Sequence, residues 1–276
     1  MTEFQLFLLQ FVLPFILACS FIEAFYYQVK SHFDWAALWV SLCDLFARMS
    51  LQYVFPLSLA TPLLNWAEAH AMDASFLSGW KAFCLLFIAQ DFCYYWMHRV
   101  SHRMRWFWCN HAVHHSSTDL NLSAAYRLGV FGKQMGTLLF FVPLVFLGLS
   151  PRLVYEVMTL NLLYQFWLHA TWIPSLGPLE YVLNTPQAHR IHHACNEEYI
   201  DGNYGGVLIV FDRLFGTYKK PLENVPIRYG LTHPVSSKNP FVVQFAEWRR
   251  LYADLQGAKS LKAFIGFFIK PPGWKP

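Results

Sequence analysis

The sequence predicts an all-α integral membrane protein of about four to five transmembrane or re-entrant helices, carrying a cytoplasmic, histidine-rich di-metal cap. Three observations lead there. Of 276 residues, 55% are hydrophobic and only 14% are charged, whereas soluble domains carry about 25% charged residues. Apolar stretches long enough for the ~30 Å hydrocarbon core recur through the first two thirds of the chain. Finally, eight of the twelve histidines fall into three short words: His98-x-x-x-His102, His111-x-x-His114-His115 and His189-x-x-His192-His193.

The first apolar segment runs from about Phe4 to Tyr27, with a kink expected at Pro14. It has neither the basic start nor the small-residue cleavage site of a secretory leader, so it reads as a span. After a link bearing Lys30, the second segment covers about Trp35 to Leu59. Asp44 and Arg48 interrupt it four residues apart, the spacing of a pair on one helix face. A polar loop with Glu68 and Asp73 is expected next, then a third segment from about Phe76 to Trp96. Arg99, Arg103, Arg105, Arg127 and Lys133 follow that segment. By the excess of cations on cytoplasmic loops, they place the metal site and C-terminus in the cytoplasm and the N-terminus outside.

An apolar hairpin follows, Gly136 to Leu149 and Leu153 to His169, hinged at Ser150-Pro151. Thr185-Pro186 is the signature of a helix start, a side-chain cap with proline in the first turn. It would put His189, His192 and His193 on the opening turns of a short helix. Asp201 to Gly206 is turn-rich, Val207 to Tyr218 is a short apolar segment, and the basic tail is expected over the membrane or the metal site. Three regions result: an N-terminal transmembrane hairpin (1–75), a catalytic domain (76–240) and a C-terminal tail (241–276).

Residues three and four apart share a helix face, so each histidine word presents its rings in one direction. Imidazole suits iron, zinc, copper and nickel, and it binds as the neutral base. Eight imidazoles exceed the positions of one ion, so two metals are the natural count. His169 returns to the same depth at the hairpin's end, with Gln165 one turn earlier. His32, His70 and His233 read as ordinary structural histidines. Candidates to orient the ligating rings are Asp91, two turns before His98, together with Asp119, Asn121, Gln165, Asp201 and Asn203. Glu197 and Glu198 read as solvated charges. The aromatic run Tyr94, Tyr95, Trp96, Trp106, Phe107 and Trp108 reads as interfacial anchoring.

Cys19, Cys43, Cys84, Cys93, Cys109 and Cys195 form no Cys-x-x-Cys pair, so neither a disulfide framework nor a sulfur-ligated metal is expected. No HExxH or Gly-x-Ser-x-Gly word supplies a hydrolytic apparatus. The net charge of +4 gives no reason to expect a nucleic-acid partner. A nitrogen-only two-metal site beside apolar spans suits iron and O2. The rival is a non-enzymatic metal carrier, which would thread its histidines along a path through the spans.

The words DFCYYWMHRVSH, NHAVHHSS, LYQFWLHA, NTPQAHRIHH and YIDGNYGGVLIVFDRLFGTY resemble the fatty acid hydroxylase/sterol desaturase superfamily of membrane di-iron oxygenases, over roughly Asp91 to Pro240. The resemblance implies O2-dependent hydroxylation or desaturation of a lipid (a sterol, an ether lipid or a fatty acyl chain) drawn from the bilayer. It implies metal ligation by His98, His102, His111, His114, His115, His169, His189, His192 and His193. Two iron ions are implied, although zinc readily occupies nitrogen sites in purified protein. No flavin, haem or iron–sulfur signature is present, so electrons must arrive from an external donor. The ether-lipid branch implies a reduced pterin, and the sterol branch a separate electron-transfer protein. Some relatives carry a histidine where this chain has Gln165.

Overall fold

The structure, a computed structural model, describes residues 2–74 and 79–276. Helix α1 runs Glu3–Lys30 and, among the described residues, is the one helix long and apolar enough to cross a membrane. Pro14 has no N–H to give to the preceding turn. The helix widens there into a turn over Leu8–Val12, closed by Leu13 N–H on the Leu8 carbonyl. α2 (Trp35–Val54) starts at an Asp34 cap, whose carboxylate accepts from Ala37 N–H at 3.1 Å. It stops at Val54 rather than Leu59, because Pro56 disfavours helical backbone at Phe55. The expected Asp44–Arg48 pair instead grips a neighbouring loop. Asp44 accepts from the N–H groups of Leu128 and Gly129, and Arg48 donates to the Tyr126 carbonyl.

Where a polar loop was expected, α3 (Thr61–Ala69) forms, with Pro62 in its first turn. Ala67 and Leu64 give it an apolar face, which packs against Phe141, Val142 and Val145. The expected start of the third segment at Phe76, and the 75/76 domain junction with it, lie outside the described residues. From Gly79, α4 continues unbroken to Arg103, well past the expected end at Trp96. A break at Met104 turns the chain into α5 (Arg105–His115). The hairpin is unequal. A tight turn over Thr137–Phe141 leads into α6 (Val142–Phe146), and at 1.5 Å per residue that apolar limb is only about 15 Å long. Its partner α7 (Pro151–Phe166) ends in a tight turn, Trp167–His169.

α8 (Pro186–His192) and α9 (Val210–Leu214) are short. The tail forms α10 (Pro240–Gln256) and α11 (Leu261–Ile269). These pack against the outer face of α5, with Leu251 and Phe267 enclosing Cys109. Arg105 pairs there with Glu247 at 3.8 Å and Asp254 at 3.2 Å. Arg105 and Arg127, expected on a cationic surface, are therefore interior residues, 5% and 3% exposed. Arg127 spends its guanidinium on Ser41, Ser116 and the Ala37 carbonyl. Tyr94, Tyr95 and Phe107 of the aromatic run are likewise buried, as part of the packing around α4. All six cysteines are free, and no strand forms among the described residues beyond two isolated bridges.

Candidate metal centre

Four elements bring the histidines together. α4 ends on His98 and His102, one turn apart on one face. α5 ends on His111, His114 and His115. The turn after α7 supplies His169. α8 supplies His189 and His192, with His193 as its last cap. The expected start of that helix is observed: Thr185 Oγ1 accepts from Ala188 N–H at 3.3 Å. All nine rings converge, and they divide. His98, His102, His111, His115 and His192 form one group, and His114, His169, His189 and His193 the other. In each group the ligand atoms lie within 4.8 Å of one another.

Four of the nine rings share one sense, each with Nδ1 on a backbone carbonyl. Nδ1 of His98 donates to the Tyr204 carbonyl at 2.8 Å, and that of His114 to the Arg127 carbonyl at 2.9 Å. His169 Nδ1 reaches the Gln165 carbonyl and His192 Nδ1 the Gly202 carbonyl, both at 3.0 Å. A ring that gives its proton through Nδ1 presents a bare lone pair at Nε2. Those Nε2 atoms point inward. Nε2 of His98 stands 3.0 Å from that of His111, and Nε2 of His189 stands 3.1 Å from that of His169 and 3.0 Å from that of His193. Two imidazoles bound at right angles on an ion about 2.1 Å away would be about 3.0 Å apart.

Ring-to-ring hydrogen bonds do not satisfy the set. Nε2 of both His102 and His192 is buried without a partner, a cost of about 1–3 kcal/mol each. Both belong to the five-histidine group, where one cation would satisfy them at once. In the four-histidine group the clustered Nε2 atoms of His169, His189 and His193 offer a second cation the same kind of donor set, so the residues present fit two metal ions. Burial pushes His192 down to about 4, against the upward pull of the Gly202 carbonyl. Burial, reinforced by neighbouring rings, holds His111, His115 and His193 well below the usual histidine range. The rings are therefore neutral at physiological pH, the form that binds metal.

The two groups differ in access. A cleft of about 240 Å³ opens onto the five-histidine group, where His102, His115 and His192 line it together with Trp108, Pro271 and Pro272. No member of the four-histidine group lines it.

The residues expected to orient the rings divide as well. The Gln165 carbonyl holds His169, while its side chain turns away, accepting from Tyr94 OH at 2.9 Å and donating to Asn161 at 2.7 Å. Asp91 touches no ring. Its carboxylate accepts from Val207 N–H, Leu208 N–H and Asn161, fixing the loop whose Tyr204 carbonyl holds His98. Asp201 pairs with Arg103 and accepts from Tyr204 OH, and Asn203 is tied to Ala188 and Lys219. Asn121 caps the Leu122–Tyr126 turn, and Asp119 is an exposed turn residue; neither reaches a ring. The orienting groups missed in the sequence are carbonyls, those of Tyr204, Gly202 and Arg127. Asp212 was missed too. It is fully buried, and its carboxylate accepts from Tyr204 N–H, Gly205 N–H and Thr217.

Residues 83–217 match the family model for fatty acid hydroxylase. Human alkylglycerol monooxygenase is 37% identical over 83% of this chain and 51% of its own length. The alkylglycerol monooxygenase of Caenorhabditis elegans is 31% identical over 92% of this chain and 52% of its own. An ornithine lipid hydroxylase of Rhizobium tropici is 27% identical over 70% of this chain and 58% of its own. The chain thus spans about half the length of the curated relatives it matches most strongly. No solved structure matches it significantly.

Proposed function

Residues 83–217 are a domain of the fatty acid hydroxylase family, and on that premise we propose that the chain is an O2-dependent membrane oxidoreductase that hydroxylates a lipid at a C–H bond. The nine histidines would hold two iron ions, five around one and four around the other. The observation that carries the reading is the convergence of Nε2 atoms in two compact groups. A histidine relay for metal transport would string its rings along a path instead.

Iron, when bound, supplies the electron transfers to O2 and the power to break an unactivated C–H bond. The balance is R–H, O2, two electrons and two protons giving R–OH and water, so an external donor is required: a reduced pterin or an electron-transfer protein. The chain's own residues do the positioning. The carbonyls of Tyr204, Arg127, Gln165 and Gly202 lock ring orientation and tautomer. Asp91 and Asp212 hold the 201–208 loop that supplies two of those carbonyls. Burial of all four rings of the four-histidine group keeps water from that position. An ether lipid is the first substrate to test, because alkylglycerol monooxygenases match most of this chain at 31–38% identity.

The test is lipid mass spectrometry of cells grown under 18O2, expressing either this chain or its His114→Ala variant. A lipid that gains one labelled oxygen only with the intact chain is the expected result. A lipid that loses two hydrogens without label would replace hydroxylation by desaturation. No lipid change, with iron and reductant supplied, would remove the oxidoreductase reading.

A further inference from the structure

The segment joining His169 to His189 turns an apolar surface outward that the chain itself does not cover. Trp172, Leu179, Tyr181 and Val182 are 59%, 50%, 67% and 50% exposed, and Leu214 of neighbouring α9 is 72% exposed. Between Thr171 and Asn184 the only ionisable acid or base besides Tyr181 is Glu180, and it is turned inward. Its carboxylate accepts from Leu176 N–H at 3.0 Å and from Thr185 Oγ1. Arg213 stands at the patch's edge, 5.0 Å over the Tyr181 ring and 3.7 Å over the Tyr218 ring. It also donates to the Glu180 carbonyl, tying α9 to the segment.

The patch is continuous with the apolar helix α1. Trp172 Nε1 donates to Glu23 of α1 at 3.0 Å, and Tyr27 OH meets Thr171 Oγ1 at 3.3 Å. Both contacts fall near the C-terminal end of α1, whose outward residues Phe15, Ile22 and Phe25 are 65%, 69% and 60% exposed. Apolar side chains with tryptophan and tyrosine, an arginine at the rim and no outward acid form the surface that sits at the boundary between headgroups and acyl chains.

We propose that residues 171–182, with Leu214, form a lip that dips into the bilayer surface beside the end of α1. The occupant is a lipid surface. This rests on the membrane placement of the chain argued above. The lip is the stretch of chain that joins His169 to His189, two members of the four-histidine group.

The test is photolabelling of the full chain, reconstituted in phosphatidylcholine vesicles that contain a phospholipid with a diazirine high on its acyl chain. Labelled peptides are then mapped by mass spectrometry. The expected result is adducts on α1 and on residues 172–182 or Leu214, with none on Tyr252, which is 64% exposed on the tail. The paired substitution Leu179→Asp with Val182→Asp should cut lip labelling at least fivefold and leave α1 labelling unchanged. Label on α1 without label on the lip would overturn the proposal. Label on neither would overturn the membrane placement itself.

Discussion

His192 shows what a single residue is asked to do at this site. Its Nδ1 is committed to the Gly202 carbonyl and its Nε2 is left bare and buried, so a proton there has no partner and a metal ion has a ready donor. With its folded value near 4 and an unfolded value near 6.5, the unfolded chain takes up the proton first. Its contribution to stability is therefore complete above about pH 6.5 and is lost as pH falls toward 4, worth about 3 kcal/mol over that window. Thermal unfolding of the metal-free protein should accordingly shift to lower temperature across that interval; a midpoint flat from pH 7 to 4.5 would contradict it. Glu197, exposed and outside both groups, serves as the control: Glu197→Ala should keep lipid turnover within about twofold of the parent, measured by product formation. The histidines were legible because spacings of three and four specify a helix face whatever the surroundings. Their orienting partners were not, since a carbonyl belongs to every residue and only the folded loop selects Tyr204, Gly202 and Arg127.

At the scale of the element, the 201–208 loop decides whether the rings are held. Asp201 and Asn203 adopt positive φ, at 63° and 58°, a region that their short polar side chains tolerate. Gly206 permits the close approach to α4 and α7: a Cβ there would lie 2.5 Å from Asn161 Oδ1 and 2.6 Å from Asp91 Oδ1. Gly206→Ala should therefore destabilise the fold by about 1–3 kcal/mol and lower iron retention after gel filtration, and unchanged retention would show that the loop does not hold the rings. Asp212→Ala removes the acceptor for two backbone N–H groups and the Thr217 hydroxyl. It should cost more, about 2–4 kcal/mol in denaturant unfolding, with Asp212→Asn recovering part of the loss. The turn itself was readable from its Asp-Gly-Asn-Tyr-Gly-Gly composition. Asp212 was not, because an acid in a short apolar run looks the same in sequence whether it faces water or anchors a loop.

Across the whole molecule, the division of labour follows from which charges are buried. Long apolar stretches made the helical class and α1 plain, and the doubled histidine word placed α5 and α8 against a common centre. What composition could not show is that Arg105 and Arg127 are interior cations. Their partners, Glu247 and Asp254 on the tail and Ser41 and Ala37 on α2, lie far away in the chain. α10 and α11 are therefore a brace on α5 rather than a loose appendage, and truncation after Gln256 should lower the unfolding midpoint by several degrees through loss of the Phe267 contact with Cys109. The central claim is two ions in two separate groups, and iron counting tests it most directly. After anaerobic loading with ferrous iron and removal of excess, the intact chain should hold two irons per molecule, and His189→Ala with His193→Ala should hold about one. A single iron in the intact chain, or two retained after both substitutions, would contradict the account.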